Sequence, residues 1–385
     1  MWSLRDKYAI AGIGHTNYSS RSGRTVLDLA SEACGKALAD AGLMAAEIDG
    51  FVSYTFNDSV PAMAVATQLG CNATRYVVDL QAGGNAANLV IQTAAMAIEA
   101  GLANSVLVYR AMNGRSGFRL GGGREFRAQG ITQFTAPFGW ITYPQAMAMW
   151  CRRHMVKYGT TSEHLGHVAV TCRANAGLNP RAMKRQPITL DDYFASRPIV
   201  EPFRLLDICL ETDGACAVLV TSAERARDLK QRPVRILGAA YGGGPQQGDD
   251  LFDALRWPEH ATNYAAYIAD ELWRSAGVGP QDIDVAEIYD CFTYSVLAQL
   301  EGFGFCKPGE GGPFVASGAI ARDGSLPVNT HGGLLSEGYI HGLNHVIEAV
   351  QQLRGEAGPR QIQGAELALT TAGAMSCGSA LVLRN

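Results

Sequence analysis

The chain carries nine cysteines in 385 residues, yet none forms a Cys-x-x-Cys pair and none joins histidines in a zinc-type quartet. That spacing excludes a zinc ribbon or a dithiol redox site, and the cysteines read as buried small hydrophobes of a reducing compartment. No apolar run reaches membrane-spanning length. The start, Met1-Trp2-Ser3-Leu4-Arg5-Asp6-Lys7, lacks the plan of a signal peptide, so a cytoplasmic protein with no membrane partner is expected. A basic surplus is missing too: 32 Lys and Arg against 36 Asp and Glu give a net charge of −4, which argues against nucleic acid as a partner. Gly12-Ile13-Gly14 lacks the third glycine and the later acidic residue of a dinucleotide fingerprint. What remains is a globular chain, 47% apolar, long enough for two domains or one large α/β body and suited to small ligands.

Period and punctuation predict an alternation of strand and helix. Lys7 to Ile13 reads as a buried strand, Val26 to Ala41 as a helix stopped by Gly42, and Ile48 to Tyr54 as a strand. The same order returns in the second half: Val234 to Ala240 repeats the strand and Ala265 to Ala276 the helix. Ala41-Gly42-Leu43-Met44-Ala45-Ala46-Glu47-Ile48-Asp49-Gly50 matches the exit Ala276-Gly277-Val278-Gly279-Pro280-Gln281-Asp282-Ile283-Asp284-Val285. Two α/β units of common plan are implied, with mainly parallel sheets covered by helices. In the first half Tyr76 to Leu80 reads as a strand, Ala86 to Ala100 as a helix and Ser105 to Tyr109 as a strand. The alternation then stops between about 113 and 202, a loop and helical insertion expected to cover the site. It includes a Gly121-Gly122-Gly123-Arg124 run, read as a surface loop. A turn is expected at Asp213-Gly214. The halves are expected at 1–231 and 232–385.

Polar clusters gather late in the chain. Tyr289-Asp290-Cys291-Phe292-Thr293 follows an apolar run, and Pro327-Val328-Asn329-Thr330-His331-Gly332-Gly333 precedes Gly338-Tyr339-Ile340-His341-Gly342, which heads the helical pattern Leu343 to Leu353. Strand-to-helix junctions leave backbone N–H groups unpaired and facing a ligand, so these junctions are expected to form the site. A tyrosine or histidine in such a turn also serves packing alone, and that plainer reading stays open for Tyr294, His331 and His341.

The duplicated body, the insertion, Asn-x-x-Gly-Gly and the following Gly-x-x-x-Gly together resemble the thiolase superfamily, most closely its lipid-transfer or sterol-carrier branch. Tyr158-Gly159-Thr160-Thr161, Asn179-Pro180 and Asp213-Gly214-Ala215-Cys216-Ala217 sit in the family's order as well. The resemblance implies an α/β thiolase fold: two duplicated halves in a five-layered αβαβα body. It also exposes departures. Where family thiolases carry a nucleophilic cysteine at the first-half strand-to-helix turn, this chain has Ala82-Gly83-Gly84-Asn85. Tyr289 replaces the first residue of the family's His-Asp-Cys-Phe cluster, and Tyr339 replaces the histidine of Gly-His-Pro. The closing family cysteine would fall near Ala372 or Gly373, with Cys377 a few residues late.

Losing the nucleophile while gaining two tyrosines resembles the thiolase-like aldolases that remove steroid side chains. The resemblance implies retro-aldol cleavage of a β-hydroxyacyl-CoA to a ring ketone and a short acyl-CoA such as propionyl-CoA, with no cofactor and no metal. The chemistry then asks two phenols to divide acid/base work: Tyr339, helped by His341, is expected to receive the hydroxyl proton, and Tyr289 to hydrogen-bond the thioester side and return it, with His331, Asp290 and Cys291 in support. Gly332, Gly333, Gly373 and Gly378 are read as letting backbone approach the thioester and pantetheine. A homodimer is implied, together with a small OB-fold partner domain of a hydratase-associated protein. Two alternatives remain: a thiolase with a displaced nucleophile, Cys291 or Cys377, and a non-catalytic subunit that binds CoA esters.

Overall fold

The structure, a computed structural model, describes residues 4–117, 132–245 and 257–385; the Gly121 to Arg124 run lies outside them. The helix expected from residue 26 forms as Val26–Ala41: Thr25 accepts the N–H of Asp28, and Gly42 ends the helix at φ 75°. Its counterpart, Ala265–Ala276, ends at Gly277 with φ 70°. Each exit runs through one 3-10 turn, Ala45–Glu47 or Pro280–Asp282, into the next strand.

Among the described residues eleven strands form: β1 (Tyr8–His15), β2 (Gly50–Thr55), β3 (Tyr76–Gln81), β4 (Ser105–Asn113), β5 (Pro198–Val200), β6 (Phe203–Arg204), β7 (Asp213–Ser222), β8 (Val234–Gly243), β9 (Val285–Glu287), β10 (Leu367–Ala372) and β11 (Cys377–Arg384). Nine of them share one hydrogen-bonded sheet in the order β3-β2-β4-β7-β1-β8-β11-β10-β9, while β5 and β6 pair separately. Outward from the β1/β8 seam, β1-β7-β4-β2-β3 mirrors β8-β11-β10-β9, and the counterpart of β3 shrinks to one parallel bridge between Ala286 and Val328. The seam itself is short, Ala9 with Arg235 and Ile10 with Val234.

The expectation of mainly parallel sheets is corrected. Only β2/β3, β2/β4 and β9/β10 pair in parallel; the other five contacts in the large sheet are antiparallel. In each half the closing strand, β7 or β11, enters antiparallel, and β11 does so by a short turn straight back from β10. The expected turn at Asp213 also becomes strand. Its carboxylate accepts the N–H groups of Ser22, Arg115 and Ser116, which frees its own backbone to pair with Asn113.

Residues along the inner strands sort by period two onto two buried faces. Ala215, Ala217 and Leu219 join the outer core under Val26–Ala41, whereas Cys216, Val218 and Val220 join the inner one. Gly12 and Gly14 permit that outer contact, because a Cβ there would lie 2.2 Å from the Ala37 carbonyl and 2.1 Å from that of Ala33. Two buried helices, Ala87–Glu99 and Leu343–Arg354, each pack against strands of both halves and against each other. With the one sheet divided at the β1/β8 seam, the layers therefore run helix, first half of the sheet, helix pair, second half of the sheet, helix, and the heads of the central pair meet at the polar clusters. Among the described residues no helix is long and apolar enough to cross a membrane.

Candidate active site

Tyr289 leaves the end of β9, and Tyr339 stands ahead of the central helix Leu343–Arg354. Their hydroxyls meet at 2.8 Å, with either able to donate. The main chain of Tyr289 is held on both sides: its N–H donates to Thr371 Oγ1, and its carbonyl accepts from Ser295 Oγ and Gln299 Nε2, each at 2.8 Å. Thr212 Oγ1 fixes Tyr339 by accepting its N–H at 2.9 Å. Burial, ahead of any neighbouring charge, pushes both phenols well above their ordinary value of 10, so both are neutral near pH 7.

Two glycines make room for the Tyr289 ring. A Cβ on Gly84, in the turn before the other central helix, would lie 1.7 Å from the Tyr289 hydroxyl oxygen, and one on Gly342 would lie 3.0 Å from the ring. The phenol thus occupies the volume that a side chain at Gly84 would fill. This is the turn where the resemblance sets a nucleophilic cysteine, so the missing side chain and the added tyrosine are one geometric change.

His341 sits in the left-handed region at φ 48°, which only a few per cent of non-glycine residues adopt. Its ring packs against Tyr339 with centroids 4.8 Å apart. Its Nδ1 accepts from Arg110, 3.1 Å from Nε and 3.0 Å from Nη2, and Arg110 Nη2 in turn donates to Asp58 at 2.5 Å. Burial first, then the Arg110 charge, lower its pKa to about 3. With Arg110 donating to Nδ1, the neutral imidazole carries its proton on Nε2.

His331, by contrast, lies in a buried ion network one step back. Its Nδ1 is 2.9 Å from Glu287 and its Nε2 3.5 Å from Glu337, while Arg181 and Arg360 hold Glu337 and Glu348. Burial alone would lower its pKa, but Glu337 and Glu287 outweigh it and raise the value to about 9. His345 lies between His331 and Tyr289, at ring distances of 5.0 and 6.3 Å. Glu287, His331 and His345 bring ligand-type atoms within 4.8 Å of one another, the one such group among the described residues. Protonated His331 supplies positive charge to the carboxylates there, so the donor set fits an internal ion network better than a metal.

Asp290 is occupied by backbone donors. It accepts the N–H groups of Leu334 and Leu335, heading the short turn of helix Gly333–Ser336, and so locks the loop that carries Tyr339. The Cys291 thiol is buried, which raises its pKa well above 9 and disfavours a thiolate. Cys377 behaves differently: Asn85 Nδ2 lies 3.0 Å from its sulfur, which sets a thiol beside the first-half turn. Contacts within the chain crowd the four candidate glycines. Side chains there would meet Ala176 (Gly332), Asp290 (Gly333), the Cys377 carbonyl (Gly373) or the Tyr264 ring (Gly378).

The insertion reaches this site through helix Ser162–Gly177. Asn175 Nδ2 donates to the Val328 and Asn329 carbonyls, Arg173 to Ser336, and Asn179 to the His331 carbonyl. A groove of about 730 Å³ lies elsewhere on the insertion, between Arg152 and Arg204, and shares no residue with the tyrosine pair. Sequence reasoning missed Arg110 and Asp58. A charged residue inside the buried run Ser-Val-Leu-Val-Tyr-Arg-Ala-Met-Asn was the available signal, since arginine is almost never fully buried without a partner.

Comparison with known proteins gives a consistent picture. The family description "Thiolase C-terminal domain-like" matches residues 253–385. The chain is 43% identical over 387 residues to the 17-hydroxy-3-oxo-4-pregnene-20-carboxyl-CoA lyase of Mycobacterium tuberculosis, covering 99% of this chain and all of the relative. It is 45% identical over 354 residues to the steroid side-chain-cleaving aldolase of Thermomonospora curvata, with 90% of each covered. A solved structure named Ltp2-ChsH2(DUF35) aldolase superposes with a TM-score of 0.92 at 42% identity, over 99% of this chain and 98% of that one. A monomeric SCP2-thiolase-like protein of Mycobacterium smegmatis, at 20% identity and TM-score 0.76 over 98% of this chain and 78% of its own, shares the fold.

Proposed function

From the chain's membership of the thiolase superfamily, in the branch of the steroid side-chain-cleaving aldolases, we propose that it cleaves a β-hydroxyacyl-CoA by a retro-aldol reaction. The hydroxyl stands on a ring carbon of a steroid-type substrate, and the products are a ring ketone and a short acyl-CoA such as propionyl-CoA. The observation that carries this reading is the 2.8 Å contact between the Tyr289 and Tyr339 hydroxyls at a turn without a nucleophile.

Burial makes a standing phenolate costly, so the two hydroxyls work as a relay. The substrate hydroxyl proton passes to the Tyr339 oxygen as the Tyr339 proton passes to Tyr289. Tyr289 delivers its own proton to the α-carbon. The electron pair of the breaking carbon–carbon bond becomes that new C–H bond by way of the thioester enolate, and the O–H pair becomes the ketone π bond. Both tyrosines begin and end neutral, and the step uses neither cofactor nor covalent intermediate.

The main loops stay anchored while this happens: Asp290 and the His331 network hold them, and Gly332, Gly333, Gly373 and Gly378 keep backbone close to where the thioester and pantetheine would run. A DUF35-type OB-fold partner and a homodimer complete the assembly. The name of the related complex supports the first, and exposed Phe134, Phe138, Ile141, Met149 and Val156 on the insertion offer apolar surface for a partner. We take 1–231 and 232–385 as the two halves, because the mirrored strand order changes over between β7 and β8.

One contact favours a second reading, acyl transfer from a displaced cysteine: Cys377 beside Asn85. A single experiment separates them. The chain, with and without a DUF35-type partner, is incubated with the CoA ester in the name of the M. tuberculosis relative. Ring ketone and propionyl-CoA without an acylated cysteine in the mass spectrum support the aldolase; an acyl-enzyme on Cys377 overturns it.

A further inference from the structure

We propose that His341 is a third catalytic residue, donating a hydrogen bond from Nε2–H to the thioester oxygen as the carbon–carbon bond breaks, and that the buried Asp58–Arg110 pair positions it. This inference rests on the retro-aldol reading and names the donor that the reaction still needs. Retro-aldol cleavage leaves the former bond pair on a thioester enolate, and Tyr289 is engaged with Tyr339. A donor already aimed at the developing charge lowers the barrier without reorganising.

Four observations converge on His341. Its Nε2 is fully buried and has no hydrogen-bond partner, while Nδ1 on the other side of the ring is taken by Arg110. An unpaired buried N–H is costly, and a substrate oxygen would satisfy it. The imidazole stays neutral, since burial and then Arg110 hold its pKa down to about 3, so it donates and does not take up a proton. Its backbone is in the left-handed region at φ 48°, held there in part by the Tyr54 hydroxyl donating to its carbonyl at 3.0 Å. Local strain of this kind clusters at functional sites.

Arg110 and Asp58 touch no reacting atom. The Arg110 side chain is fully buried and that of Asp58 is 2% exposed, a pair expensive to bury unless it serves position. Two N–H groups of Arg110 point at one ring nitrogen, which forces that nitrogen to accept and sends the ring proton to Nε2. Asp58 balances the guanidinium charge.

The test uses the full chain with its partner. The parent is first shown to release ring ketone and acyl-CoA; a parent that does not cleave sinks the retro-aldol reading itself, and this inference with it. In a cleaving parent, His341→Asn tolerates the left-handed backbone but ends its amide near the Nδ1 position, whereas His341→Gln carries an N–H close to Nε2. The expected result is a kcat loss of about 10²–10³ for Asn, as for removal of one oxyanion donor, with KM within a few-fold and at least tenfold recovery in Gln. Nitrogen NMR of histidine-labelled parent should show His341 protonated on Nε2 and unchanged from pH 5 to 9, with Asp58→Asn disturbing that signal. Parental kcat in the Asn variant, or an Nδ1-protonated His341 in the parent, overturns the proposal, and the second holds even if a variant fails to fold.

Discussion

Gly84→Ala is the sharpest perturbation available, because it puts a methyl group in place of a hydrogen at the point where the site was rebuilt. The new Cβ would stand 1.7 Å from the Tyr289 hydroxyl oxygen and 2.5 Å from its ring carbon, far inside van der Waals contact. The ring cannot retreat freely, since Gly342 backs it so closely that a Cβ there would lie 3.0 Å from the ring, and the Tyr289 main chain is pinned by Thr371, Ser295 and Gln299. Overpacking of this kind costs about 1–3 kcal/mol. With about 2.1 cal/mol/K per residue over 385 residues, that shifts a single unfolding transition by roughly 1–4 °C. Activity should suffer more, because the displaced phenol breaks the 2.8 Å contact and a positioned acid/base contributes about 10²–10⁴ in rate. The assay is kcat for ketone release beside a melting curve, for Gly84→Ala, Tyr289→Phe and the double variant. Removing the clashing oxygen should relieve part of the strain, so the double variant should melt above the sum of the two single effects. Parental melting and parental kcat in Gly84→Ala would refute the reasoning.

Tyr289→Phe and Tyr339→Phe should each lower kcat by about 10²–10⁴, and the pair together should lose little more than the worse single, since one relay fails only once; additive losses, measured by initial rates, would separate the two roles. No acylated cysteine should appear by mass spectrometry after incubation with acyl-CoA, and Cys291 in particular should resist alkylation in the folded state because burial raises its pKa well above 9. The His331 network predicts a pH dependence of stability. Its folded pKa of about 9 stands above the ordinary 6.5, so its contribution is full below pH 6.5 and is lost as pH rises through 9. Glu348, held at about 2 by Arg360 against its own burial, contributes above pH 4.5 and is lost as pH falls toward 2. Urea midpoints from pH 2 to 10 should therefore peak between these windows, and His331→Gln should flatten the alkaline arm while also shallowing the acid one, since the His331 charge helps hold Glu348 and Glu337 low.

How much of this was legible differs from element to element. The helices Val26–Ala41 and Ala265–Ala276 were readable to the residue, because a strong apolar period ended in a left-handed glycine. Tyr289 and Tyr339 were found by comparing family positions, and no local pattern would have brought together two residues 50 apart in sequence. Strand direction was not legible: period two reports burial and not pairing, so β7 and β11 looked like any other buried run. Asp58 and Arg110 escaped because they lie in the first half, and their partner His341 is contributed by the second. The turn at Asp213 misled because Asp-Gly usually marks a turn, whereas here the carboxylate serves three N–H groups of two neighbouring loops.

The turn at Gly84 also decides why phenols suit this scaffold. The head of helix Ala87–Glu99 carries the partial positive charge that favours an anion, worth about 0.3–1 kcal/mol at exposed sites and up to about 2 when partly buried. A thiol needs little more than that to ionise, since its ordinary pKa lies near 8.5. A phenol starts near 10, and burial raises it further here, so the same field cannot produce a standing phenolate. It can still stabilise charge that exists only while a bond breaks. Under the proposed retro-aldol reading, a helix head unable to ionise its own side chain would serve the enolate of the substrate, and the hydroxyl pair would have only to move protons. On that argument, Tyr289→Cys should not restore a nucleophile: its sulfur would start from β9 and stop short of the volume above Gly84 that the phenol oxygen reaches. Recovery of an acyl-enzyme in that variant, detected by mass spectrometry after incubation with acyl-CoA, would show that the turn still supports a thiolate at this distance and that the field, not the length of the phenol, governs the chemistry.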